Sequence, residues 1–447
     1  MTQSETAIKP KHREAIIQSL RAGVVPRAGQ QHIQVGRHAE VKALLGDIDR
    51  IAAGGSAIRF IIGEYGSGKT FFLNLIRAIA LERNLVAINA DLSPDRRLHA
   101  TGGQARSLYA ELMRNLATRS KPECGAMASV VEKFVSSALG EARGSGRSVD
   151  EIIRARLASL QELVGGYDFA QVIEAYWRGH DSGNEELKDA ALRWLRGEYA
   201  TKTDARASLG VRTVVSDANV YDQLKLFARF VRLAGYAGFL VVLDELVNLY
   251  KLANAQARNS NYEQILRILN DVLQGSAEGL GVLLGGTPEF LLDTRRGLYS
   301  YSALQSRLAQ NQFAANGFVD YSGPVLSLAQ LTKEDLYVLL GNIRNVYACG
   351  DAAKHLVPDE ALEAFMQHCS TRIGDAYFRT PRNTVTAFVS LLSVLEQNAH
   401  ADWRELLGAV TIAPEHNPDL EGEIVDDAAP AAGTAKDEDD DLATFRI

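Results

Sequence analysis

One eight-residue stretch, GEYGSGKT at positions 63–70, constrains the fold of this chain more than any other feature. It matches the pattern G-x-x-x-x-G-K-[ST], whose glycines let backbone N–H groups turn inward around a phosphate. A β-branched run, SAIRFIIG at 56–63, precedes it, and residues 69–83 have helical spacing. Because a phosphate-binding loop of this kind lies between a strand and a helix, the stretch predicts a P-loop nucleotide-binding core.

The residue types in this loop predict how a nucleotide would be bound. Lys69 is expected to reach the β- and γ-phosphates of ATP, and the Thr70 hydroxyl is expected to bind Mg²⁺. The N-terminus of the following helix adds its partial positive charge. The predicted nucleotide-binding residues of this segment are Gly63, Glu64, Tyr65, Gly66, Ser67, Gly68, Lys69, Thr70 and Phe71.

A second motif completes the predicted site. In GFLVVLDEL at 238–246, a run of apolar residues leads into Asp244 and Glu245. Ligands of parallel sheets bind at the carboxyl ends of the strands. We therefore expect Asp244 to hold the hydration shell of Mg²⁺, and Glu245 to orient and deprotonate the attacking water.

Strand-like and helix-like segments alternate in two parts of the chain, which predicts a three-layer α/β core with helices on both faces of a parallel sheet. A mostly helical stretch between them indicates a large helical insertion, and the region from Leu326 to about Val410 has an all-helical pattern, which indicates a lid. The predicted divisions are an N-terminal helix and turn (1–30), the first part of the core (31–100), the insertion (101–215), the second part of the core (216–325), the C-terminal helical lid (326–413) and an acidic disordered tail (414–447).

Charge and cysteine content favour a soluble protein of the reducing cytoplasm. The predicted tail carries eleven acidic and two basic residues, whereas the other 46 basic and 44 acidic residues nearly balance. A nearly neutral body neither demands nor excludes nucleic acid. No apolar run approaches the roughly 20 residues of a membrane helix. The three scattered cysteines have the spacing of neither a disulfide framework nor a metal site.

Residues after the fourth predicted strand are further candidates. Thr287 follows the run LGVLLGG, where it could contact the γ-phosphate or the water, or simply end the strand. Arg307 could act on the nucleotide of a neighbouring subunit as an arginine finger. Arg295 and Arg296 compete for that role, and a surface salt bridge is the other interpretation of Arg307.

The segment TPRN at 380–383 contains another arginine with both a functional and a structural interpretation. Thr380 and Pro381 predict a helix start, with the threonine as cap and the proline in the first turn. Arg382 would then lie at the helix N-terminus and could fold back onto the phosphates. Arg379 is the nearby competitor, and a structural role is the alternative for both.

Two segments interleave aromatic and basic residues, Trp177-Arg178 and Arg193-Trp194-Leu195-Arg196. Aromatic rings beside positive charges can stack on the bases of single-stranded nucleic acid. The commoner role of such residues is to pack helices against each other. DNA therefore stays an open alternative as a partner.

The order of the candidate residues along the chain resembles the order of the motifs in AAA+ ATPases. The segment QVGRHAEVKALLGDI resembles the box before the P-loop in the origin-recognition and signal-transduction branch. There the resemblance implies that Val35, Gly36 and Arg37 line the adenine pocket. The implied roles are Walker A for Lys69 and Thr70, Walker B for Asp244 and Glu245, sensor 1 for Thr287, arginine finger for Arg307 and sensor 2 for Arg382.

A more specific resemblance is to the bacterial P-loop family that includes BrxD, the ATP-binding protein of BREX phage-defence clusters. The shared features are LRAGVVPRAG, a VGR-type box, GGSAIRFIIGEYGSGKTFFL and an Asp-Leu-Ser after the second strand. The resemblance implies an ATPase of an antiphage or other DNA-directed defence system, which works with a helicase or other partners. ATP and Mg²⁺ are the expected cofactors, and a role for Arg307 between subunits would require a homo-oligomer. The alternative is a nucleotide-gated switch or scaffold with little turnover.

Overall fold

The computed structural model describes residues 8–314, 319–398, 400–410 and 412, so the predicted acidic tail lies outside the described residues. Its centre is a five-stranded sheet with the order β2-β3-β4-β1-β5, in which every neighbouring pair is parallel. The strands are β1 (Ala57–Ile62), β2 (Leu85–Asp91), β3 (Gly238–Asp244), β4 (Leu280–Gly286) and β5 (Val325–Ser327).

Helices surround this sheet. None of those in the described part of the chain is long and apolar enough to cross a membrane. They are α1 (Pro10–Arg21), α2 (His38–Ala52), α3 (Lys69–Glu82), α4 (Gln104–Arg114), α5 (Met127–Ser145), α6 (Val149–Leu157), α7 (Gly166–Ser182), α8 (Glu185–Leu195), α9 (Lys202–Leu209), α10 (Val220–Leu233), α11 (Val247–Tyr250), α12 (Ala255–Leu273), α13 (Pro288–Leu292), α14 (Ser302–Leu308), α15 (Lys333–Tyr347), α16 (Asp359–Ile373), α17 (Ala376–Arg379), α18 (Arg382–Gln397) and α19 (Trp403–Ala409). Short 3₁₀ turns lie at Gln30–His32, Ala158–Leu160, Leu298–Ser300 and Ala352–Lys354.

The sheet is buried on both faces, as parallel sheets usually are. Along β1, Ile58 and Phe60 join the core on one face, whereas Ala57 and Ile61 join a second core under α2 and α3. Successive strand side chains point to opposite faces, so one apolar strand supplies both cores. The α/β fold with a parallel sheet is confirmed.

The predicted insertion does not form a core of its own. Its aromatic residues Phe169 and Trp194 belong to the same hydrophobic cluster as Phe239 on β3. Trp177 and Trp194 are both buried, and their indole N–H groups donate to Asp150 and to the Thr213 carbonyl. These tryptophans therefore pack helices together and present no open ring face for a nucleic-acid base.

The C-terminal helices form a separate cluster that also includes the N-terminal helix. Ile16 and Ile17 of α1 share this core with Leu340, Phe365 and Phe388 of α15, α16 and α18. We call this unit, α1 with α15–α19, the lid. Because α1 lies more than 300 residues before α15 in the sequence, only the fold reveals that it packs with α15–α19.

Two local predictions were wrong. The region from Leu326 was predicted to be all helical, but Val325–Ser327 forms edge strand β5 and pairs with β1. Three residues are too few to show strand alternation. Thr380 was predicted to cap a helix, but its hydroxyl donates to the Ala376 carbonyl, and Pro381 occupies the cap position before Arg382.

A buried ion pair joins α2 to β1 and generates a stability prediction. The Arg59 guanidinium donates to both oxygens of Asp47 at 2.6 and 3.1 Å and to the Tyr321 carbonyl at 2.7 Å. The two side chains of the pair are only 6% and 5% exposed. Asp47→Ala leaves a buried charge without its carboxylate, so we expect a loss of about 3–5 kcal/mol in unfolding free energy, measured by urea denaturation.

The matched control is Asp49→Ala on the same helix. Asp49 pairs with Arg83 at 2.9 Å, but both side chains are more than half exposed. Its removal should cost no more than about 1 kcal/mol. Equal losses for the two variants would contradict the prediction.

Candidate nucleotide-binding site

The P-loop curls around its own lysine. Gly66 and Gly68 have φ values of 74° and 85°, a region that favours glycine because it has no Cβ. The Lys69 ammonium donates to the carbonyls of Gly63 and Glu64 at 2.9 and 2.8 Å. The loop therefore gathers a positive charge and backbone groups at the N-terminus of α3, which suits a phosphate.

A short hydrogen bond links the P-loop helix to the end of β3. The Thr70 hydroxyl donates to Asp244 Oδ2 at 2.6 Å, and the Glu245 N–H donates to the other oxygen of Asp244 at 2.9 Å. Asp244 is buried. The hydroxyl and carboxylate predicted to serve Mg²⁺ therefore lie side by side.

Glu245 has an unusual backbone. Its φ of 58° is in the left-handed region, which a glutamate rarely adopts. Such strain persists only where the surrounding structure holds it, and it is concentrated at functional sites. The side chain is exposed to the cavity described next.

A cavity of about 310 Å³ lies between the P-loop, the lid and the segment that follows α1. Its lining is largely apolar, with charged groups at the P-loop end. It is formed by Leu20, Gly23, Val24, Val25, Pro26, Ile33, Val35, Arg37, Tyr65, Gly66, Ser67, Gly68, Lys69, Thr70, Phe71, Glu245, Leu331, Leu339, Pro381, Arg382, Val385 and Thr386.

Sequence reasoning gave no role to the segment from Leu20 to Pro26, which forms one wall of this cavity. Gly23 has a φ of 68°, and an added Cβ there would contact the Arg382 and Thr386 side chains at 3.7–3.9 Å. The Thr386 hydroxyl donates to the Leu20 carbonyl. The signal in the sequence was LRAGVVPRAG, which served only to support the family resemblance and gave no position for these residues.

The VGR box is divided between two tasks. Val35 and Arg37 line the cavity, whereas Gly36 lies against the Asp335 carboxylate of the lid. The Arg37 guanidinium donates to the Ser67 and Gly68 carbonyls of the P-loop and to the Ala329 carbonyl. Burial lowers the pKa of Arg37, an effect partly opposed by Glu40 and Asp335.

The lid brings one of the two competing arginines to the P-loop. Arg382 donates to the Tyr65 hydroxyl at 3.1 Å, and its guanidinium lies 5.1 Å from the centre of the Tyr65 ring. Arg379 is instead paired with Asp375 at 3.4 Å, outside the cavity lining. The adjacent phenylalanines also divide, since Phe72 is in the sheet core and Phe71 packs against the lid.

The remaining predicted residues lie outside the cavity lining. Thr287 caps α13 by accepting from the Phe290 N–H at 3.4 Å. The exposed Arg307 donates to Asn270 Oδ1 and to the Ala303 carbonyl, both at 2.8 Å. Its competitor Arg296 donates to two carbonyls near α11, whereas the backbone N–H of Arg295 donates to Asp293.

Electrostatics at the P-loop are balanced by several carboxylates. Burial lowers the pKa of Lys69, while Asp244, Glu245 and Glu289 act in the opposite direction. Partial removal of this ammonium from water favours an anionic ligand, whereas the nearby carboxylates oppose one. A phosphate group would add negative charge where burial disfavours the cation.

A second cavity, of about 760 Å³, lies next to Thr70, and its lining includes Asp91, to which the sequence analysis gave no role. Thr70, Asp91 and Asp244 all contribute to its lining. Burial raises the pKa of Asp91, and the neighbouring charge of Asp244 raises it further. The Asp-Leu-Ser motif in the sequence begins at this residue.

The residues at the end of β3 suit Mg²⁺ bound together with a nucleotide. Magnesium prefers oxygen ligands and is usually held by one or two carboxylates, waters and phosphate oxygens. Thr70 and Asp244 supply a hydroxyl and a carboxylate oxygen 2.6 Å apart. Among the residues that the structure describes, no group of three or more His, Cys, Asp or Glu side chains forms a dedicated metal cage.

The family of this chain follows from comparison with known sequences. A family described as BREX system ATP-binding protein BrxC/D matches residues 8–411. The chain belongs to this family. No curated protein matches it at a significant level. The match spans the P-loop core, the helical insertion and the lid.

Membership in the BrxC/D family confirms the resemblance inferred from the P-loop and its flanking segments. The chain is thus an ATP-binding component of a BREX defence system. The cavity between P-loop and lid is the candidate location for that ATP. Its apolar walls suit a base, and its P-loop end suits phosphates.

Arg37 offers a test of the site, because its guanidinium donates hydrogen bonds to three carbonyls. We expect Arg37→Lys to weaken ATP binding by roughly tenfold, the loss of one charged hydrogen bond of about 1.5 kcal/mol. Titration with a fluorescent ATP analogue measures this change. Arg114→Lys is the control, because Arg114 is 69% exposed and pairs with Glu111 on the surface. Unchanged affinity in Arg37→Lys would contradict the assigned role.

Proposed function

We propose that this BrxC/D-family protein hydrolyses ATP in the cavity between the P-loop and the lid, as an AAA+-like ATPase. The observation that carries the proposal is the contact of Thr70 with Asp244, followed directly by the strained and cavity-facing Glu245. The strand order supports it, since β4 lies between β1 and β3 and leads into Thr287. A sensor 1 residue would occupy that place.

The positions of the side chains support one assignment of roles in this reaction. The P-loop amides and Lys69 bind the β- and γ-phosphates, and Arg382 approaches them from the lid. Thr70 and Asp244 would hold Mg²⁺, which would supply positive charge to the phosphate oxygens. Glu245 accepts a proton from water as the oxygen attacks the γ-phosphorus. The bond from that phosphorus to the β–γ bridging oxygen breaks, which yields ADP and phosphate.

Two substitutions separate binding from chemistry. Lys69→Ala removes the phosphate-binding cation, so we expect loss of ATP binding. Glu245→Gln keeps the shape but removes the base, so it should bind ATP normally and hydrolyse it at least about 100-fold more slowly. Phosphate release and binding of a fluorescent ATP analogue are measured in parallel.

Glu82→Gln serves as the control because Glu82 lies at the far end of α3 and pairs with Arg119 on an exposed surface. It should leave both properties unchanged. Equal turnover by the wild type and Glu245→Gln would reject Glu245 as the base. Tight nucleotide binding without turnover in the wild type would instead favour a switch or scaffold.

We also propose that the site is completed by a second copy of the chain, with Arg307 acting across the interface. Arg307 lies on the exposed helix α14, outside the cavity of its own chain. An arginine that neutralises transition-state charge from a neighbouring subunit can raise the rate by about 10³-fold or more.

Mixing two inactive variants tests this arrangement. Arg307→Ala supplies an intact P-loop, and Lys69→Ala supplies an intact arginine, so a mixture should regain part of the activity that neither has alone. The ATPase rate of each variant and of the mixture is measured at several protein concentrations. Arg295→Ala mixed with Lys69→Ala is the matched comparison. Full activity of Arg307→Ala alone would exclude a role across subunits.

A further part of the proposal is the use that the defence system makes of ATP hydrolysis. We propose that closing and opening of the lid against the core changes contacts with DNA or with a helicase-like partner. The cavity supports this, because residues of the core and of the lid both line it. Stimulation of ATPase activity by DNA or by a co-purifying BREX component is the expected readout.

A further inference from the structure

We propose that Asp91, at the carboxyl end of β2, is a second carboxylate of the Mg²⁺ site and positions the metal's water shell beside Asp244. The inference rests on the proposed ATP site and extends it to a strand that the Walker motifs do not include. It gives a physical role to the Asp-Leu-Ser segment at 91–93.

The sheet places the two carboxylates together. Asp91 and Asp244 are partners in the parallel register of β2 and β3. Paired residues of adjacent strands have side chains on the same face, and the strands are about 4.8 Å apart. Leu85 and Ala87 lie an even number of residues before Asp91, so their side chains are on the same face of β2. They pack in the core beneath α3 together with Val242 of β3. Both carboxylates therefore lie on the face that carries Thr70.

The second cavity places these groups against open space. Asp91, Asp244 and Thr70 line the same 760 Å³ volume, and Thr70 also lines the smaller nucleotide cavity. Thr70 and Val25 thus line both volumes. An ion held at Thr70 and Asp244 would face Asp91 across this volume.

The charge of Asp91 has little compensation from protein groups. Within the described ranges, its carboxylate accepts no hydrogen bond and forms no ion pair, and Arg96 and Arg27 act on it only at longer range. Two like charges on adjacent strands repel each other, and a cation between them would remove that cost more fully than the water that reaches the exposed Asp91. Asp244 is already occupied by Thr70 and the Glu245 N–H, so Asp91 is the carboxylate with free oxygens.

Magnesium chemistry suits such a residue. The ion gives up its waters reluctantly, so a protein often holds it through water-mediated contacts. Partners in the outer shell orient the inner ligands, and their loss typically costs 10–100-fold in metal affinity or activity. Asp91 is accordingly a positioning residue, which acts through the water shell and through Asp244.

The experiment compares the full chain with Asp91→Asn, Asp91→Glu and the control Asp95→Asn, which removes a charge from the exposed loop just after β2. A slowly hydrolysed fluorescent ATP analogue is bound at fixed concentration while Mg²⁺ is titrated from a chelator-buffered zero. For Asp91→Asn, we expect the Mg²⁺ concentration at half-effect to rise about tenfold. Asp91→Glu should recover part of that loss, and Asp95→Asn should match the wild type.

Melting temperature separates this role from a structural one. In chelator without nucleotide, Asp91→Asn should melt at the wild-type temperature or above, because one of two adjacent like charges is removed. With Mg²⁺ and the analogue, it should gain less stability than the wild type. A lower melting temperature in chelator together with weaker metal-free analogue binding would mark Asp91 as structural and overturn the inference.

Other outcomes are equally decisive. The same Mg²⁺ requirement in Asp91→Asn and the wild type would overturn the role of Asp91 while leaving the ATP site intact. Failure of the wild type to bind the analogue at any Mg²⁺ concentration would overturn the proposed site itself. The two failures are therefore distinguishable in one set of titrations.

Discussion

The site depends on the 2.6 Å hydrogen bond between Thr70 and Asp244, and that bond depends on a glycine. Strand β4 lies between β1, which leads into the P-loop, and β3, which ends in Asp244. At Gly285 of β4, a Cβ would lie 2.3 Å from Asp244 Oδ1 and 2.8 Å from the Leu73 side chain. Glycine in a strand marks such a close approach. With any larger residue at position 285, α3 could not pack on the sheet and also place Thr70 in hydrogen-bond contact with Asp244.

Local sequence patterns predicted the elements that a few neighbouring residues determine. The strand before the P-loop, α3 and the strand that ends in Asp244 are each specified by an apolar run and its boundary, and all three are present. Strand β5 escaped prediction because only three residues pair, and their strand character comes from the β1 edge rather than from their own alternation. The local pattern also failed at Thr380. The cap of α18 is Pro381, one residue later than predicted.

The candidate site also contains residues that local motifs predict and residues that only the fold brings together. Lys69, Thr70, Asp244 and Glu245 could be named from motifs, because the chemistry of phosphate and Mg²⁺ demands those residue types at those strand ends. The wall from Leu20 to Pro26 could not, because it reaches the cavity only through the packing of α1 on the lid helices. Asp91 was hidden for a related reason. Its closeness to Asp244 is a consequence of strand register across a long insertion, and no spacing in the sequence records it.

At the proposed ATP site, the contacts around the P-loop indicate which hydrogen bonds an incoming nucleotide would have to exchange. Lys69 donates to the Gly63 and Glu64 carbonyls, and Arg382 is engaged with Tyr65. Phosphate oxygens would compete for these donors, so part of the binding energy is spent on exchanging hydrogen bonds within the protein. Because Arg382 belongs to the lid and Tyr65 to the core, that exchange alters the junction between them. A ligand shifts a conformational equilibrium only by its difference in affinity for the two states. In the proposed site, such a difference would have a physical source, since Arg382 would bond either to Tyr65 of the P-loop or to the nucleotide.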